Sequence, residues 1–82
     1  MFNYDIEIEV LRYLAGEFRD IKKCLQRIEG GESYFSRTDI DTLKKCSLDR
    51  GMGVVMFAQN LGANFNILNK YYEDFKKQIR EL

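Results

Sequence analysis

The chain has 82 residues, 45% hydrophobic and 32% charged, a balance that suits one small folded domain and not a disordered segment. Thirteen Lys+Arg meet thirteen Asp+Glu and there is no His, so the formal charge is zero. This argues against the broad positive field of a nucleic-acid binder and removes the commonest general base and metal ligand. No run approaches the roughly 18 apolar residues of a membrane span. The opening MFNYDIEIEV carries acids where a secretory signal carries bases, so a cytoplasmic protein is expected.

With no proline, the glycines must punctuate the chain. Before Gly30, the residues Leu11, Leu14, Phe18, Ile21, Leu25 and Ile28 follow at steps of 3, 4, 3, 4 and 3. That is the stripe a helix buries, and it also fits a coiled-coil seam. Acids lead (Asp5, Glu7, Glu9) and bases trail (Lys22, Lys23, Arg27), as the helix dipole favours. The first helix is expected over residues 4–29, with Gly30 in a left-handed terminal position. Tyr4 to Val10 also alternates as a half-buried strand would, but no other segment alternates to pair with it.

A short helix is expected over 38–49, opened by Ser36 with Asp39 or Thr38 with Asp41 and closed by Gly51. Its apolar face is Ile40, Leu43 and Cys46 or Ser47. A last helix is expected over 53–81, from Val54, Phe57, Leu61, Phe65, Leu68, Tyr72, Phe75, Ile79 and Leu82. The sequence thus reads as a single all-α domain over 1–82, with two long amphipathic helices and one short one in a helical hairpin or bundle.

Chains of this size have a small margin of stability and often gain support from disulfides, metals or self-association. Cys24 and Cys46 without His do not make a closed zinc site, and they read as packing residues, with a redox clasp as the alternative. No metal and no cofactor is expected. Self-association is, because Met52, Val54, Val55, Met56, Phe57 and Ala58 are apolar nearly all round a helix. Met52, Val55, Met56, Ala58 and Gly62 form the expected oligomer interface, Ala58 and Gly62 giving close approach. The alternative is that the loop from Glu32 to Thr38 covers this end.

Two further surfaces stand out. Asp49-Arg50-Gly51-Met52-Gly53 reads as a helix–helix turn or, at a helix start, as an anion site where Arg50, Gly51 and Gly53 meet a phosphate with help from Arg37. Tyr34, Phe35 and Arg37 are the residue types of an interaction hot spot, or could plug the open end of the fold. Asn60 and Asn64 flank the apolar face of the last helix, where amides can fix register. The serines lack a histidine to activate them, and Asp39 and Asp41 point to different sides of a helix, so no catalytic set is expected.

The expected function is a non-enzymatic regulatory protein acting by protein–protein interaction and partnered by itself and another protein. Inhibitor, adaptor and antitoxin-like roles fit, as does an accessory protein of a phage or mobile element. The alternative is an oligomeric binder of a nucleotide or phosphate-bearing ligand held between protomers, with Tyr34 or Tyr13 stacking on the base.

Overall fold

The computed structural model describes residues 5–32, 36 and 39–82. Three helices form: α1 (Ile6–Glu29), α2 (Ile40–Asn60) and α3 (Phe65–Glu81). Among the described residues there is no strand, and the alternating residues after Asp5 are helical. The Asp5 side chain caps α1 by accepting from the Ile8 N–H at 3.1 Å, and Glu7 and Glu9 occupy its positive end. At the other end Gly31, not Gly30, takes the left-handed conformation, with φ 73°. The Gly31 N–H donates to the Ile28 carbonyl and the Glu32 N–H to that of Arg27, the Schellman pairing.

The middle of the chain departs from expectation. No break occurs at Gly51-Met52-Gly53; α2 continues through them to Asn60, so the short helix is the long arm of the pair and the final helix starts at Phe65, not 53. The chain reverses at Leu61 to Asn64. Gly62 has φ 93°, its N–H donates to the Gln59 carbonyl, and the Ala63 N–H donates to that of Ala58. This is the same Schellman closure as at Gly31, and a side chain with a Cβ is strained at such a φ. Ala63 then packs onto the core and Asn64 caps α3, its side chain accepting from the N–H groups of Asn66 and Ile67. The stop and the start are therefore both written within three residues.

Each helix packs against the other two in a body of 48 × 21 × 16 Å. The Asn64 N–H donates to Glu7 at 3.0 Å, bringing the starts of α1 and α3 together, while Glu17 meets Ser47 and Arg50 of α2. So α1 and α3 run the same way and α2 returns between them. The buried face of α1 is Val10, Leu14, Ile21, Leu25 and Ile28, and that of α3 is Leu68, Tyr72, Phe75 and Ile79. Leu11, expected inside, is displaced to the flank facing α3 and Val10 takes its place.

The inward face of α2 is made of small residues: Ser47, Gly51, Val55 and Ala58. Gly51 explains itself by packing. A Cβ there would lie 2.7 Å from Phe75 Cε2 and 3.1 Å from Leu14 Cδ2, so both neighbours press directly on the α2 backbone. Gly51→Ala should gain helix propensity and still lose about 1–2 kcal/mol of stability through overpacking. Gly62→Ala should lose about 1 kcal/mol through strain. Urea denaturation checks both; an unchanged midpoint for Gly51→Ala would contradict the close approach.

Tyr72 is buried beside Phe75, with its hydroxyl donating to the Leu48 carbonyl at 3.3 Å. Burial, reinforced by Asp49 and Glu73, pushes its pKa above the ordinary value of 10.0. A raised pKa means stability that is complete below the unfolded value and lost as pH rises through the folded one. Denaturation midpoints taken from pH 8 upward should fall less steeply above about pH 10 in Tyr72→Phe than in the wild type.

Candidate binding surface

From Gly51 to Asn69 the chain carries no charged residue. This stretch spans the second half of α2, the Gly62 turn and the first turn of α3. Because α2 turns its small residues inward and advances 100° per residue, its large apolar residues are forced outward. Met52, Met56, Phe57 and Leu61 are 40, 57, 66 and 54% exposed. Phe65 and Ile67 continue the exposure into α3, and Tyr13 of α1 is exposed on the side that faces α2, whereas exposed Leu11 lies on the side that faces α3. Such residues are ordinary singly; a run of them without an intervening charge marks an interaction surface.

A groove of about 430 Å³ lies between α1 and this half of α2. Its walls are Ile6, Val10 and Tyr13 on one side and Val54, Phe57 and Leu61 on the other. Glu9 and Arg12 border it and pair with each other at 3.0 Å on the surface, a contact of little energetic weight. A smaller groove of about 200 Å³, lined by Leu11, Tyr71 and Phe75 among others, lies between α1 and α3.

Toward the other half of α2 the surface changes character. The Glu17 carboxylate, 13% exposed, accepts from the Ser47 hydroxyl at 3.2 Å and from Arg50 Nε at 2.7 Å, with Arg50 Nη2 also paired to it. Ser47 is fully buried, so this acceptor satisfies the one polar side chain that α2 places inside. The hydrogen bond to Glu17 raises the Arg50 pKa further above its already high value, against a smaller opposing effect of burial.

The expected site residues are distributed accordingly. Arg50 is engaged by Glu17, and Gly51 and Gly53 sit inside α2, where backbone N–H groups point at carbonyls of the preceding turn. The helix start on which the anion site depended is not formed there. Tyr34, Phe35, Arg37 and the rest of the aromatic loop apart from Glu32 and Ser36 lie outside the described residues. Of the expected oligomer interface, Met52 and Met56 are exposed, whereas Val55 and Ala58 are core residues at 5 and 2% and Gly62 is the turn. Cys24 is half-buried, but Cys46 is exposed and Ser47 takes the inward position; both thiols are free. Asn64 caps a helix instead of flanking one.

Phe57, Leu61 and Phe65 are the surface residues that periodicity hides, since their steps of four match a buried stripe. Gly62 followed by Asn64 is the local signal that separates them from it. Glu17 has no such signal, because its partners lie 30 and 33 residues away. Glu17→Ala should cost about 1–2 kcal/mol, mainly by leaving the Ser47 hydroxyl without this acceptor, and Glu17→Gln should cost less. Thermal or urea melts of the two variants check the order. A scan against protein-family models, a search of curated proteins and a search of solved structures each find no match for this chain.

Proposed function

We propose that this chain acts by binding a macromolecular partner, as an inhibitor, adaptor or antitoxin-like protein, through the outer face of the second half of α2 and the groove beside it. One observation carries the reading: nineteen consecutive uncharged residues, Gly51 to Asn69, hold six large apolar side chains that are at least 40% exposed. Residues of this kind are stable on a surface only at a cost in hydration, and a partner that covers them recovers it. Methionine and aromatic side chains, which Met52, Met56 and Phe57 supply, give adaptable contact area. No helix of the described residues is long and apolar enough to cross a membrane.

A photo-crosslinking residue placed at Phe57, in the cells that make the protein, tests this. A crosslinked macromolecule is expected at Phe57 and not at exposed Lys23 near the far end of α1. Equal labelling at both positions, or none at Phe57, would remove this face from the function.

A further inference from the structure

We infer that the outer face of α1 is a second binding surface, one that takes the phosphate backbone of double-stranded DNA. This goes beyond the reading above and uses a different side of the molecule.

The zero formal charge of the chain is a sum, and the fold does not spread it evenly. The buried stripe of α1 is Val10, Leu14, Ile21, Leu25 and Ile28. At 100° per residue, Arg12, Arg19 and Lys23 fall within about 40° of one another directly opposite that stripe, with Lys22 and Arg27 to either side. All five are exposed. Over the roughly 22 Å from Arg12 to Arg27 this face holds no acid. The acids of that stretch are Glu17, which is turned to α2 and held by Ser47 and Arg50, and Asp20, which lies at the edge of the face toward α2. Asp74 of α3 stands across the smaller groove from Ala15.

The fold itself makes little use of these bases. Arg12 pairs with Glu9, but among the described residues Arg19, Lys22, Lys23 and Arg27 have no carboxylate partner. Arg19, Lys23 and Arg27 follow at steps of four, where like charges repel and weaken a helix. The helix dipole rewards a base only in the last turn, and there Arg27 stands alone.

An exposed row of one sign is complementary to a row of the other. Duplex DNA offers one negative charge per roughly 1.7 Å of its axis, and its major groove, about 12 Å wide, admits a helix. Three of the five bases are arginines, whose planar fork pairs two-pronged with phosphate oxygens. Between the bases lie only Ala15, Gly16 and Gln26. The face therefore offers no aromatic ring for the bases of a single strand to stack on, and no large apolar side chain to enter a bilayer. Contacts of this kind hold the backbone without reading the sequence.

Fluorescence anisotropy of a labelled mixed-sequence duplex, titrated with the purified chain over a range of salt concentrations, tests this. Binding is expected at low salt, with log affinity falling against log salt at a slope of about −4.5 for five phosphate contacts. Arg19→Gln with Lys23→Gln should weaken binding about tenfold or more and reduce the slope by about two. Lys77→Gln with Arg80→Gln, which removes the same charge from exposed positions of α3, should leave the affinity within about twofold. Circular dichroism checks that both variants keep their helices. No duplex binding at low salt overturns the inference, and an equal loss from both pairs of substitutions overturns the assignment to α1. Tighter binding to a single strand, to polyglutamate or to phosphatidylserine vesicles than to the duplex overturns DNA as the occupant. The Phe57 crosslink and its Lys23 control, read after nuclease digestion, report protein alone, so either binding surface can fail without the other.

Discussion

The contact of Phe75 and Leu14 with the backbone of α2 at Gly51 sets the arrangement of the whole molecule. Three helices in so short a chain can share one core only if one of them is thin on the inside. Ser47, Gly51, Val55 and Ala58 make α2 thin there, so that α1 and α3 supply most of the bulk. A helix whose inner face is small keeps its bulky residues for the outside, and here those are methionine, phenylalanine and leucine. The exposed apolar face is thus the other side of the packing solution.

The two halves of α2 meet their surroundings differently. In the first, Glu17 reaches across from α1 to Ser47 and Arg50, so polar groups fix how the helices lie against each other. An acceptor of this kind is directional, and it holds the rotation of α2 about its own axis. In the second half the same rotation is held by the inward packing of Gly51, Val55 and Ala58. The rotation that brings Ser47 and Arg50 to Glu17 is the same one that buries Val55 and Ala58 and leaves Met56 and Phe57 outside.

Much of the helical content could be read from spacing. Ile21, Leu25, Ile28, Leu68, Tyr72, Phe75 and Ile79 all belong to stripes visible in the sequence, and all are buried. The boundary between the second and third helices could not be read that way. Leu61 and Phe65 are four apart, which matches a helical turn, while the chain in fact reverses between them. Conversely, Gly51 and Gly53 weaken a helix by propensity, yet packing against Phe75 outweighs that preference at Gly51. The surface face was partly legible: Met52 and Met56 were apparent as excess apolar residues, but the inward or outward sense of Val55 and Ala58 depends on tertiary packing. The pairing of Glu17 with Arg50 spans 33 residues and leaves no local trace.

The turn at Gly62 also bears on the order in which the molecule comes together. Its two backbone hydrogen bonds and the Asn64 cap are all local, and only Leu61 to Asn64 separate α2 from α3. Closing so small a loop costs little chain entropy. The contacts of α1 with α3, such as Glu7 to Asn64, close a loop of 57 residues and cost more. The α2–α3 pair therefore closes at a lower entropic cost than the contacts that join α1 to α3.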